Sequence, residues 1–586
     1  MTHRIVAIAG VVGLWLSALA QPPADLAAIA PRNTVAIVSV RDMNVMSEAM
    51  DRSGLGRLFD DPQIRAMIDS STKDAMEEMR TGMKDAGIEL DDLSMPSGLV
   101  GVAVFSRAVE DRQEWNFLAC ADYGDKADDF AKVIDTVIDA QIEKNEIEVK
   151  EEKFGDATVW TIDIVALMDE EDDVEVEFDF PEPPFSQIRS VYLGRLGRVF
   201  VLSSELGATE DALDVMQGRR RESLADNTDY QAAVAQLPRD AQMSGVVMLA
   251  PVRDQMLKPF FESMMFMFGG EMDLEGLFRA LGLDNVQSAG FSMSMDTTDG
   301  IVESTQVLLV PEKRGLLGLF AGAGDAFVPP PFAGRDADGV SRISADFTKV
   351  VPMVRGIIET MPEDFRAQTK PAFEQVAAPL MDQVFAALGR DVYIVTNYQE
   401  PFTTESQQTV FAVPVKDDVV IGNAIQTLPI GLQATDFGGN VIYRSPDEMV
   451  PIVIGLGFGY AFIGPAPAVE NAMRQAGNPE AGRLSDEAHF RAAASRLGAT
   501  GIGYAWAAIA PQLRMMIAEM REAAAEEIDP EWGWEPTGID KVMRDMGKAV
   551  PDAELFLKYF GDQVSEYNAT PWGFRARSLL LRPRAQ

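Results

Sequence analysis

Histidine is almost missing. The chain of 586 residues carries two, His3 and His489. Histidine supplies most general bases near neutral pH and most zinc sites. No Ser-His-Asp or Cys-His triad with a local partner is therefore visible, and no HExxH motif can exist. Cysteine is scarcer: Cys120 stands alone, so no internal disulfide can form. In the apolar run Trp115-Asn116-Phe117-Leu118-Ala119-Cys120-Ala121 it reads as a small buried hydrophobe rather than a reactive thiol. Positive charge is also short, with 51 Lys and Arg against 91 Asp and Glu, a net charge of −40. Nucleic-acid affinity comes from neutralising phosphates, so the composition argues against that partner. It argues equally against holding anionic lipid headgroups by charge; solubility is the plain reading of the acidity. The run Gly455-Leu456-Gly457-Phe458-Gly459 lacks the Lys-Ser/Thr of a phosphate loop and the third glycine of a dinucleotide fingerprint. It reads as turn and strand glycines.

What is present begins with an export leader. Arg4 precedes the apolar run Ile5 to Ala18, and Ala18-Leu19-Ala20 is a small-x-small cleavage site before Gln21. Residues 1–20 are read as a signal peptide, and the mature protein is expected in the periplasm or outside the cell. No cysteine lies near the cleavage site for a lipoprotein anchor. A second uncharged stretch, Met449 to Val469, is long enough to span a bilayer. It is broken by Pro451, Pro465, Pro467 and several glycines, and its counterpart elsewhere in the chain holds Arg189, Arg195 and Arg198, costly in a membrane. It is expected to be a buried β-hairpin, leaving no transmembrane span in the mature chain.

That counterpart exists because the chain repeats itself. Leu224-Ala225-Asp226-Asn227-Thr228-Asp229-Tyr230-Gln231-Ala232-Ala233 returns 260 residues on as Leu484-Ser485-Asp486-Glu487-Ala488-His489-Phe490-Arg491-Ala492-Ala493. Flanking segments follow in the same order. A strand near Thr34 to Val40 leads to Asp42, an N-cap; Val340 to Ala345 leads to Asp346 in the same way, at an offset of 304. A long helix follows (Pro62 to Ala86, or Ala367 to Leu388). Strand pairs come next: Leu99 to Ser106 with Glu114 to Asp122, and Asp391 to Tyr398 with Gln407 to Val415. Each copy then shows a helix, tight reversals at Phe154-Gly155-Asp156 or Phe437-Gly438-Gly439-Asn440, and the Leu-x-Asp segment. It ends in a closing strand pair: Val286 to Asp296 with Ile301 to Leu309, or Asp552 to Tyr559 with Trp572 to Leu581. Sequence-adjacent strand pairs with helices in groups indicate α+β with mainly antiparallel sheets and packed helices. The expected organisation is two tandem similar lobes, 21–324 and 340–586, joined by the Pro/Gly linker 325–339.

With Pro-x-x-Thr-Val-Ala-x-Val-Ser-Val, Gly54-Leu55-Gly56-Arg57-Leu58-Phe59-Asp60-Asp61-Pro62, Leu224-x-Asp226 and Leu281-Gly282-Leu283-Asp284, the chain resembles an uncharacterised family of exported bacterial proteins of the domain-of-unknown-function class. The resemblance implies export and a repeated α+β layout; it carries no catalytic residues.

Candidate chemistry is sparse. Asp169, Glu170, Glu171, Asp172 and Asp173, continuing to Glu175, Glu177, Asp179 and Glu182, form an acidic insertion that the second copy lacks. Clustered carboxylates can hold Ca²⁺, though no EF-hand spacing is present; the other reading is a solvated acidic loop. No other cofactor is indicated. Met256, Phe260, Phe261, Met264, Met265, Phe266, Met267 and Phe268 make an apolar helix end that suits core packing or an adaptable groove for lipid or peptide. Trp532 and Trp534 would line a ligand surface or cover a helix. His489 takes the place of Asp229 and is expected on an exposed helix turn. The chain is thus read as a non-enzymatic exported binding or envelope-associated protein. The alternatives are a carrier or chaperone for an apolar ligand, and a carboxylate-based hydrolase, for which two Asp/Glu residues suffice.

Overall fold

Local turn chemistry sets the strands. Gly438 and Gly439 have φ of 62° and 85°, the two positive values that a two-residue hairpin reversal needs. They join β-strands at Phe437 and Asn440. The uncharged stretch reverses at Phe458 and Gly459, φ 53° and 78°, and its flanks Ile452–Gly457 and Tyr460–Pro465 pair as an antiparallel hairpin. No helix among the described residues is long and apolar enough to cross a membrane.

The computed structural model describes residues 25–583, except 86–87, 89–92, 110–111, 144–146, 164–187, 189, 262–271, 323, 404–405, 429–430, 446–451, 479, 499 and 526–538. They fall into two units, each discontinuous in sequence. Unit 1 takes the chain up to Ser53, Ile68–Phe260 and Gln287–Met295; unit 2 takes Gly54–Met67, Phe261–Val286 and everything from Asp296.

Unit 1 is built on β1 (Thr34–Val40), β2 (Val100–Val109), β3 (Arg112–Asp122), β4 (Glu148–Phe154), β5 (Ala157–Asp163), β6 (Ser190–Leu196), β7 (Val199–Ser203), β8 (Met243–Met248) and β9 (Ser288–Met295). They pair antiparallel in the order β9-β8-β1-β2-β3-β7-β6-β5-β4. Alternation places one side chain in two on the buried face, and a register row of Val246, Ile37, Ala103 and Leu118 runs across it, each buried. Helix Leu206–Met216 packs on this sheet. The fit at Gly194 is close, since a Cβ there would stand 2.9 Å from Thr209 and Leu213.

Unit 2 is built on β10 (Val302–Leu309), β11 (Gly339–Ser344), β12 (Asp391–Tyr398), β13 (Gln407–Pro414), β14 (Gln433–Phe437), β15 (Asn440–Arg444), β16 (Ile452–Gly457), β17 (Tyr460–Pro465), β18 (Gly503–Ala507), β19 (Gln563–Thr570) and β20 (Gly573–Leu580). The order is β10-β20-β19-β18-β11-β12-β13-β17-β16-β15-β14, again antiparallel throughout. The chain is thus α+β with mainly antiparallel sheet. The buried row here is Leu579, Val564, Trp506, Val340, Val395 and Val410. Helix Ala466–Gly477 packs on it, and a Cβ at Gly455 would stand 2.6 Å from Met473 and 2.8 Å from Val469. From β19 through β14 the succession matches that of unit 1 from β9 through β4. Pairing sets Val340 where unit 1 has Ile37, an offset of 303 rather than the 304 read from the two capping aspartates.

The repeated Leu-x-Asp segment has the same task in each unit. Leu224–Asp226 and Leu484–Asp486 are single 3₁₀ turns whose leucines are wholly buried. The Leu224 N–H donates to the Ala30 carbonyl at 2.9 Å, and the Leu484 N–H to that of Ala333 at 3.1 Å. Each turn therefore pins a segment that leads into a strand, β1 in unit 1 and β11 in unit 2.

Two expectations change. Residues 325–339 are not a free linker: they lie inside unit 2, and Phe332, Ala333 and Ala337 belong to its core. Asp552 to Tyr559 is not a strand. Asp552 precedes a short helix, Ala553–Phe556, and the closing pair is β19 with β20. Pro551-Asp552 is a helix-start signal, and the apolar residues after it follow a turn rather than a pleat.

Cys120 lies in β3 with 2% of its surface exposed, and burial, with Asp122 nearby, pushes its thiol far above the usual range. Thiol reagents act on thiolate. Native protein at pH 8 is expected to resist alkylation over hours and to take up one equivalent at once in denaturant. Native labelling at the rate of a free thiol would contradict that burial.

Candidate functional site

The ends of β11, β12 and β13 create a concavity. β11 stops at Ser344, and Asp346 accepts from the Thr348 N–H at 3.2 Å to start a 3₁₀ turn and helix Val350–Glu359. Opposite, helix Ala378–Ala387 ends, and Gly389 donates to the Pro414 carbonyl at 2.6 Å, leading Arg390 into β12. Between them opens a cavity of about 240 Å³, slightly below the range of about 300–1,000 Å³ usual for drug-sized ligands. Leu319, Phe347, Phe385 and Leu388 supply apolar wall, and Arg390 and Lys416 reach it from the strand ends. Phe347 and Phe385 stack at 5.9 Å with 16° between planes.

The charges around it are partly engaged. Arg390 pairs with the Asp325 carboxylate. The Lys416 ammonium lies 3.4 Å from the Ala386 carbonyl, at a helix C-terminus, where a cation is favourable. Asp346 faces Lys349 at 3.8 Å. Arg390 and Lys416 line the cavity against one lining carboxylate, Asp346, while Asp391 accepts from the lining Ser344, so a cationic pair sits on a strongly acidic protein. Unit 1 lacks it. The Ser97 N–H donates to the Asp122 carbonyl as that of Gly389 does to Pro414, which puts Gly98 and Gly124 where unit 2 has Arg390 and Lys416.

Beside the cavity is a buried cation, Arg342, 4% exposed on the core face of β11. Its guanidinium donates to the carbonyls of Ala326 at 2.9 Å, Asp325 at 2.8 Å and Gly501 at 2.9 Å. Its Nε stands 4.0 Å from Asp391, an ion-pair separation too long for a hydrogen bond, and its plane lies 5.3 Å from the Tyr504 ring centre. The planar fork suits several acceptors at once. It fixes the Asp325–Ala326 strap that carries the partner of Arg390.

On the opposite sheet face a row of large apolar residues crosses four strands: Ile394, Phe411, Ile463 and Ile454. Phe411 is 45% and Ile463 40% exposed.

The residues singled out from sequence fare differently. Asp169, Glu170, Glu171, Asp172 and Asp173 lie outside the described residues, as do Met264 to Phe268, Trp532 and Trp534. Among the described residues no group of three or more His, Cys, Asp or Glu is placed to hold a metal ion. Met256 and Phe260 are exposed at 40% and 47%, and Phe261 meets Phe278 edge-on at 6.2 Å. His489 is half-buried rather than exposed: its ring stands 5.7 Å from Trp506, with Glu487 at 4.0 Å. Arg342, Arg390 and Lys416 were not anticipated. A charge in the β-branched strand Val340 to Ser344 was the one available signal, because alternation places Arg342 on the face of Val340.

Compared with known proteins, the chain matches no family model, no curated protein sequence and no solved structure.

Proposed function

We propose that this chain is an exported, non-enzymatic binding or envelope-associated protein built from a duplicated α+β module, acting in the periplasm or outside the cell. The leader read in residues 1–20 and the resemblance to exported proteins of unknown function support export. The single observation that carries the binding role is the cavity of unit 2, whose two cations are absent from the matching position of unit 1. Two frames of one strand succession, differing at a cavity, are what a duplication with one specialised copy would leave. The duplication is further supported by the paired Leu-x-Asp turns and by Gly194 and Gly455, each pressed against the matching helix.

A second reading, a carrier for apolar ligands such as lipid or peptide, is favoured by the apolar wall of that cavity and by the exposed Phe411–Ile463 row. Contiguous exposed apolar surface marks interaction sites. Native mass spectrometry of full-length protein purified from an exporting host tests both. The expected result is a small apolar species released on denaturation, together with no hydrolytic turnover on esterase, peptidase and glycosidase panels. Turnover abolished by a single Asp or Glu substitution would overturn the non-enzymatic role; bare protein in every preparation would remove the carrier reading.

A further inference from the structure

We infer that the cavity between Phe347, Phe385, Arg390 and Lys416 binds a small apolar molecule carrying one carboxylate. This assignment rests on the binding role proposed above and names its ligand class.

Three features carry it. The wall is largely apolar and includes a stacked phenylalanine pair, 5.9 Å between ring centres, which suits a hydrocarbon body. The polar lining includes Arg390 and Lys416, which takes an anionic end. The third feature selects carboxylate among anions: Arg390 already engages one, that of Asp325, in an ion pair whose side chains are 47% and 64% exposed. A guanidinium matches a carboxylate through two parallel N–H bonds, so a ligand carboxylate can take the place of Asp325. The Lys416 ammonium has three donors and meets the Ala386 carbonyl at 3.4 Å, so it can turn one donor to the second ligand oxygen. The charges lining the cavity are Arg390, Lys416 and Asp346; behind them stand Asp325 on Arg390, Lys349 on Asp346 and Asp391, which accepts from Ser344. When Asp325 yields Arg390, the cationic side gains.

Asp325 thereby acts as an internal competitor. It sits on the strap whose backbone Arg342 holds, so its side chain can leave Arg390 while the strap stays in place. Unit 1, with Gly98 and Gly124 at the two cationic positions, offers no such site.

The test uses full-length protein, with octanoate as probe and 1-octanol and butyrate as controls, titrated by isothermal calorimetry. Octanoate is expected to bind once per chain and at least tenfold more tightly than either control. Lys416→Gln should weaken it about tenfold. Asp325→Asn should tighten it several-fold, a gain that a merely structural ion pair would not give. Melting curves of both variants should overlay the parent. Equal binding of octanoate and octanol, or no effect of Lys416→Gln with weaker binding by Asp325→Asn, would overturn the assignment. If octanoate fails to bind while another apolar species still co-purifies, the ligand class falls and the binding role stands; if neither is seen, both fall.

Discussion

Arg342→Ala is expected to cost unit 2 about 3–5 kcal/mol, the range for breaking a buried, hydrogen-bonded charge arrangement. The side chain is 4% exposed and serves three carbonyls from two separate segments. Truncation leaves those acceptors short of a donor, at about 1–3 kcal/mol for each that water cannot reach, and opens a void beside Tyr504. Lysine should not rescue it, because one ammonium cannot reproduce the planar fork. Domain stabilities run about 5–15 kcal/mol, so the loss is a large fraction of the whole. A chain of two units need not unfold in one step. The decisive readout is therefore hydrogen exchange at Asp325, Ala326 and Gly501, expected to accelerate at least a hundredfold. Ser39, which holds the matching place in β1, provides the control: Ser39→Ala should shift stability by about 0.5 kcal/mol or less. Unchanged exchange in Arg342→Ala would show that the strap is held by something else.

Trp506→Ala should be as severe, about 3–5 kcal/mol, for a different reason. Trp506 is 1% exposed in the middle of the buried row of unit 2, between Val340 and Val564. Phe490 meets it edge-on at 5.4 Å, and its indole N–H donates to Asp562 at 3.3 Å. Alanine leaves a cavity that two hydrogen-bonded neighbouring strands cannot collapse to fill. Trp506→Phe keeps most of the volume and loses the Asp562 bond, so it should cost about 1–2 kcal/mol. In unit 1 the matching residue is Val246, much smaller, and Val246→Ala should cost about 1–2 kcal/mol. Urea unfolding followed by far-ultraviolet circular dichroism orders the three. A Trp506→Ala protein as stable as the parent would mean that the indole does not fill the core as its burial indicates.

Legibility in the sequence followed the range of the forces. The helix expected from Pro62 to Ala86 is present over Pro62–Asp85, the last described residue there, and the strand Asp391–Tyr398 falls where its β-branched alternation put it. Asp42 caps its helix by accepting from the Val45 N–H at 3.1 Å. These depend on residues within a turn or two of each other. The errors arose where a distant partner decides. The segment 325–339 has linker composition, yet Phe332 is 2% exposed because Tyr393 of β12 and Tyr460 and Phe462 of β17 pack edge-on against it. His489 looked exposed by helical position, but Trp506 from a neighbouring strand covers one side.

The cavity was not legible at all. Arg390 and Lys416 are 26 residues apart, and neither belongs to a motif. They share a cavity because β12 and β13 pair antiparallel and bring the start of one beside the end of the other. The same holds for the order of strands. Turn residues and periodicity determined by themselves the hairpins β4–β5, β6–β7, β14–β15 and β16–β17, the caps, and the recurrence of the Leu-x-Asp turn. Only the tertiary structure decided that β3 lies beside β7 and β13 beside β17, past the intervening strands. Strand pairing is backbone chemistry that any two segments share, and the choice among partners is made by which apolar faces can be buried together. That is a property of the whole sheet. The charges left at its ends, and the cavity they line, follow from that choice.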